Sequence, residues 1–182
     1  KGEYDEALSL LQIKKPEKVL SKPTSFHFQH GGYIGLRNPA GAFALFNYPK
    51  FRFRPAQNDA LHVDLWLDGI NLLRDGGTFS YNAGQDYIDY YGGTQSHNTI
   101  QFDGNEQMPR LSRFLLGAWL KAKDVSFDEY QLTGQAGYRD HLGCEHQRHI
   151  SLTESSLTVK DQVQGIESKA TLRWRLSPDH WV

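Results

Sequence analysis

A chain of 182 residues with a formal charge of −1 suits one globular domain, and it carries no net field that would draw it to nucleic acid or acidic lipid. Hydrophobic residues at 38%, aromatics at 13%, 17 glycines and a single methionine describe a turn-rich β protein rather than a helical bundle. The one cysteine, Cys144, excludes an internal disulfide framework and a cysteine cage for zinc, and no apolar run approaches the roughly 20 residues of a membrane helix.

Residues 3–13, EYDEALSLLQI, space Tyr4, Ala7, Leu8 and Leu11 for one face of a short helix, which Pro16 and Pro23 then interrupt. Residues 1–24 are therefore expected to be a helix and linker, and residues 25–182 the main domain. From Ser25 the pattern changes to short strands punctuated by Gly, Asn and Pro, which predicts an all-β fold, a large antiparallel β-sandwich. FHFQHGGYIGLRN reads as strand, turn, strand, and GAFALFNY as the next strand. In LHVDLWLDGINLLRD, alternation sets Leu61, Val63, Leu65 and Leu67 on one face and His62, Asp64 and Trp66 on the other, with Asp68-Gly69 as a tight hairpin turn before Ile70 to Arg74 return. GGTFSYNAGQDYIDYYGGTQS is too rich in glycine and polar residues for regular structure, yet its tyrosines argue for packing. Further strands are expected in HNTIQFDG, LGAWLKAKDVSF, EYQLTGQAGY, EHQRHISLTE, SSLTVKDQV and KATLRWRLS.

Several of these segments carry residues capable of chemistry. His62 and Asp64, two apart on a strand, would make a two-histidine, one-carboxylate iron site if His97 joined them; otherwise they are the polar face of a half-buried strand. Asp75 and His97 each stand at a strand end beside a glycine-rich loop, and carboxylate and imidazole are zinc ligands, to which Gln57 adds a weaker amide oxygen. Equally, Asp75 would cap its own turn and His97 would be a hydrogen-bonded core residue. His146 and Arg148 share one face of their strand, opposite Glu145, Gln147 and His149. There the arginine would either grip a carboxylate or sulfate or sit in a charged face open to water. Tyr81, Tyr87, Tyr90, Tyr91, Trp66 and Trp119 offer flat surfaces for sugar rings, or simply core. No phosphate loop, dinucleotide fingerprint, nucleophile elbow or nucleic-acid module is present.

In order, FRFRPAQNDALHVDLWLDGINLLRDGGTFSYN, GGTQSHNTIQFDGNEQ and YRDHLGCEHQRHISL resemble the C-terminal β-sandwich of the heparinase II/III-like polysaccharide lyases, over roughly residues 31–177. The resemblance implies a preceding α/α toroid domain, an acidic, uronate-containing polysaccharide as substrate, cleavage by β-elimination and a periplasmic or secreted bacterial setting. It also implies a structural zinc held by Gln57, Asp75 and His97, with Gln57 standing where the family often has histidine, and Asp59 matching the acid of the same motif. His62 becomes a candidate catalytic residue, since Pro55 occupies the position of the sandwich histidine in family lyases. Tyr81, Tyr90, Tyr91, Asn98 and Arg148 become candidate substrate-binding residues. With the catalytic tyrosine expected from the toroid, the domain alone is expected to be inactive. The alternative is a non-catalytic carbohydrate-binding or scaffolding sandwich.

Overall fold

The strand rhythm from Ser25 onward is borne out in a computed structural model, which describes residues 5–14, 21, 24–80 and 82–178. The expected helix at 3–13 is present as α1 (Asp5–Leu10) within those limits, whereas Pro16, Pro23 and Tyr81 lie outside the described residues.

The first sheet is an antiparallel meander of β1 (Phe26–Phe28), β2 (Tyr33–Arg37), β3 (Phe43–Asn47), β4 (Val63–Leu67) and β5 (Ile70–Leu73), laid side by side in chain order. Asp68 and Gly69, at φ 50° and 82°, are the two left-handed residues that a tight hairpin between β4 and β5 requires. Next come β6 (Ile100–Phe102) and a small hairpin of β7 (Arg110–Ser112) with β8 (Leu115–Leu116). The second sheet follows, built from β9 (Lys123–Asp128), β10 (Thr133–Arg139), β11 (Glu145–Leu152) and β12 (Leu157–Gln164) in the order β12-β11-β10-β9. Finally β13 (Ala170–Leu172) pairs with β6.

The two large sheets face each other across the core. Ile34, Leu36, Ala44 and Phe46 come from the first, Ala136, Tyr138, Ile150 and Leu152 from the second, and all are buried. Burying each of the leucine, isoleucine and phenylalanine side chains contributes about 1.5–3 kcal/mol. Gly134 is what permits the close approach: a Cβ there would lie 3.1 Å from Ile34 and 3.4 Å from Ile150.

Two expectations need correction. The glycine-rich stretch is not irregular throughout, because it holds α2 (Gln85–Gly92) and a 3-10 turn at Thr94–Ser96. Its helix is supported by an i,i+4 bond from Gln85 to Asp89 at 2.9 Å. The alternation drawn through Leu61 also begins too early. Leu61 sits in the left-handed region at φ 63° and β4 starts at Val63, so Leu61, His62 and Val63 are all buried. The left-handed residue breaks the period-2 pattern, and His62 turns inward with its neighbours rather than outward with Trp66.

Candidate functional site

Three chain segments converge at one edge of the first sheet: the entry to β4, which carries His62; the loop leaving β5, which carries Asp75; and the residue after the 3-10 turn, His97. Asp75 Oδ2 accepts the Nδ1–H of His97 at 2.6 Å, and its Oδ1 accepts the backbone N–H of Gly77 at 2.5 Å. His62 Nε2 stands 3.6 Å from Asp75 Oδ2 and 3.6 Å from Asp64 Oδ2. The two imidazoles meet edge to face, with centroids 5.8 Å apart. Ligand atoms of His62, Asp75 and His97 all lie within 4.8 Å of one another. His97 is fully buried and His62 5% exposed, whereas the Asp75 side chain is 31% exposed, so the carboxylate is the member of the cluster that reaches solvent.

Electrostatics follow from this arrangement. Burial pushes the Asp75 carboxyl up, but the hydrogen bond and charge of His97, the charge of His62 and the Gly77 N–H outweigh it and bring it down to about 2. Nearby, Asp59 is raised by burial, against the opposing pull of His97 and His62, and accepts the Asn47 amide at 2.9 Å. His62 Nδ1 accepts the backbone N–H of Asn98 at 2.9 Å, so a neutral His62 carries its proton on Nε2, aimed at the two carboxylates.

That tautomer decides how the cluster fits a divalent cation. Asp75 and His97 offer a carboxylate and an imidazole of the kind zinc takes once the His97 proton moves from Nδ1 to Nε2, a buried atom with no hydrogen-bond partner among the described residues, and Gln57 donates its amide to Gly77 O at 2.9 Å in the loop that leaves Asp75. His62 Nε2 is buried and without a hydrogen-bond partner, but it bears a proton while the Asn98 N–H occupies Nδ1, so His62 fits as a proton-bearing neighbour of the cation site. An iron site at His62 and Asp64 fails for the same reason.

A groove of about 400 Å³ opens one or two residues away, and Gln57 and Thr78 form part of its wall. Three arginines, Arg54, Arg110 and Arg113, line it with Pro55, Ile88 and Phe114. Arg110 is paired to Asp89 at 3.3 Å, and Arg113 lies over the Phe114 ring at 5.4 Å. Among the described residues no carboxylate lines the groove, so Arg54 and Arg113 present positive charge there beside Ile88 and Phe114. Beyond it an aromatic group stands on α2: Phe79, 66% exposed, stacks on Tyr87 and Tyr91 at 5.0 and 5.5 Å between centroids, and Tyr90 accepts a hydrogen bond from Arg175 at 3.0 Å.

Sequence-derived candidates fare unevenly. Tyr90 and Tyr91 belong to this aromatic group, Asp75 and His97 come together, and Gln57 bonds Gly77 two residues beyond Asp75. Asn98 and Arg148 require correction as substrate contacts, because both are fully buried. Asn98 gives its amide to Val63 O and Arg74 O and accepts from the Arg175 N–H. Arg148 spends its guanidinium on Asp161 and on the carbonyls of Leu61 and Asn98, so neither face of its strand shows that charge to water. His62 is likewise turned away from the groove surface by burial. Sequence reading missed Arg54, Arg110, Arg113 and Phe79. The arginines sit in FRFRP and PRLSRF, two loops that only the fold brings to one groove.

The fold defines a two-sheet antiparallel β-sandwich domain. The chain belongs to the heparinase II/III-like C-terminal family, whose model matches residues 21–181. Among solved structures it is similar to a heparinase III at 18% identity and TM-score 0.72, covering 99% of this chain and 28% of that one. It is also similar to the heparan sulfate lyase HepC of Pedobacter heparinus at 17% identity and TM-score 0.65, covering 97% and 29%. The chain thus spans under a third of the length of these proteins. No curated protein matches it in sequence.

Proposed function

We propose that this chain is the sandwich half of a lyase that cleaves acidic, uronate-containing polysaccharides by β-elimination, and that it works only with an α/α toroid domain preceding it. The observation that carries the reading is the juxtaposition of the arginine-lined groove with the Asp75–His97 pair, in a chain of this family. Helix α1 would then be the end of that toroid or its connector, in a protein of the bacterial periplasm or exterior.

In such a reaction a base takes the C5 proton, the C4–oxygen bond breaks with the leaving oxygen protonated, and a C4–C5 double bond remains. The proton beside a carboxylate becomes removable only when the charge developing on that carboxylate is stabilised. Arg54 and Arg113 supply positive charge to hold the polymer, with Phe79 and its tyrosine partners offering sugar rings a flat apolar surface. His97 fixes the Asp75 carboxylate as an anion, and the Gly77 bond fixes the loop that joins this pair to the groove. The acid and base come from the toroid, since His62 is buried and Pro55 has no titratable group. A zinc ion held by Asp75, His97 and the Gln57 oxygen would supply a fixed positive charge behind this wall.

The full-length protein, given a panel of uronate polymers, should generate the ultraviolet absorbance of an unsaturated uronate, and the isolated domain should not. Pro55 in the groove favours a second reading, a sandwich that binds acidic glycan without cleaving it. Binding by the full-length protein with no absorbance change from any polymer in the panel would establish that one instead.

A further inference from the structure

Arg148 lies on the second sheet, hydrogen-bonds neither imidazole of the site, and is nevertheless tied to both segments that carry them. Asp161 stands directly opposite it on β12. The Asp161 carboxylate accepts Nε and Nη2 of Arg148 at 2.7 and 3.0 Å and Nε2 of His146 at 2.7 Å. This fixes two of the three guanidinium nitrogens. The third, Nη1, crosses the core to donate to Leu61 O at 2.7 Å and to Asn98 O at 2.5 Å. Leu61 immediately precedes His62, and Asn98 immediately follows His97.

Three further observations make the link directional. Leu61 holds the left-handed conformation, at φ 63°, that a leucine adopts only when its surroundings enforce it. Asn98, whose carbonyl Arg148 holds, directs its own N–H onto His62 Nδ1 at 2.9 Å. The Asn98 side chain then bonds Val63 O and Arg74 O, the residues beside His62 and Asp75, at 2.9 and 3.2 Å. A planar fork with a fixed angle between its donors can satisfy a carboxylate and two carbonyls at once. An ammonium on a flexible stem cannot.

We propose that Arg148, braced by Asp161, is a positioning residue: it sets the spacing of the His62 and His97 segments and holds the Asn98 amide on His62 Nδ1, locking His62 in the tautomer that carries its proton on Nε2. The proposal rests on the reading of this cluster as part of a working lyase site.

The test compares full-length wild type with Arg148→Lys, Arg148→Met and Ile150→Val, the last a buried core change on the same face of the same strand. The readouts are thermal stability, kcat and KM on a uronate polymer that wild type cleaves, and nitrogen NMR of histidine-labelled protein, with the His62 signal assigned from His62→Gln. Arg148→Lys should fold, lose about 10–100-fold in kcat with KM changed less than about threefold, and lose the single Nε2–H signature of His62. Ile150→Val should lower the melting temperature and leave kcat and the His62 signature at wild-type values. Arg148→Lys with wild-type kcat and signature overturns the proposal while the lyase reading stands, and so does Ile150→Val losing kcat in proportion to stability. Should Arg148→Lys and Arg148→Met both fail to fold, the wild-type spectrum decides: a His62 proton on Nδ1 overturns the proposal and one on Nε2 supports it. A full-length wild type with no elimination activity, or one that keeps full activity in His97→Ala, overturns the reading of the site and the proposal with it.

Discussion

Replacing Asp161 with asparagine removes the anion beneath a fully buried guanidinium while keeping side-chain volume. Uncompensated, a buried charge left by one lost partner costs about 3–5 kcal/mol; because Arg148 keeps the Leu61 and Asn98 carbonyls, about 3 kcal/mol is the expected loss. That is a large part of the 5–15 kcal/mol typical of a whole domain. The wild-type bond also has a pH signature. Burial alone would raise the Asp161 carboxyl, but the His146 and Arg148 bonds bring it from 3.8 down to about 2. A depressed folded value means stabilisation that is complete above 3.8 and is lost as pH falls through about 2, worth about 2 kcal/mol for this carboxyl. Urea unfolding at pH 7 should therefore show Asp161→Asn with a midpoint lower by roughly 1–2 M and an unchanged slope, and the gap to wild type should narrow as the pH approaches 2. A gap under about 1 kcal/mol at pH 7, or one that stays constant down to pH 2, would refute the reasoning.

Other consequences are tested separately. A Cβ at Gly76 would lie 2.6 Å from the backbone oxygen of Ser96, so Gly76→Ala must push the Asp75 loop away from the 3-10 turn, at about 1–3 kcal/mol in thermal unfolding. Zinc affinity by chelator competition should vanish in His97→Ala and tighten in Gln57→His, because imidazole is the better ligand; the reverse order would place the cation elsewhere. Arg54→Ala and Arg113→Ala should each weaken binding of an acidic polysaccharide by about tenfold or more at low salt, with the difference shrinking as ionic strength rises. Equal affinity at both salt levels would remove the groove from the account.

Much of the fold could be read from the residues because strand alternation and turn chemistry are local. FHFQHGGYIGLRN, GAFALFNY and the Asp68-Gly69 turn each specify their own strand or hairpin, and β1 to β5 follow. The pairing of Asp75 with His97 was legible from the order of the family's motifs. Other features depended on context the chain does not spell out locally. Leu61 breaks the alternation by a backbone conformation that leucine does not announce, which is why His62 points inward. Helix α2 was obscured by the glycines on either side of it, although Tyr87, Tyr90 and Tyr91 already had helical spacing. Arg148 looked like a surface charge because its partner, Asp161, is on the next strand and its carbonyl acceptors, Leu61 and Asn98, are in distant loop segments before β4 and β6.

Mass analysis of the product released by the full-length protein from a uronate polysaccharide tests the central claim most directly. Elimination predicts a fragment carrying an unsaturated uronate at its non-reducing end, one water lighter than the corresponding hydrolysis product. Fragments carrying the added water, or a polymer that emerges intact after binding, would contradict the account.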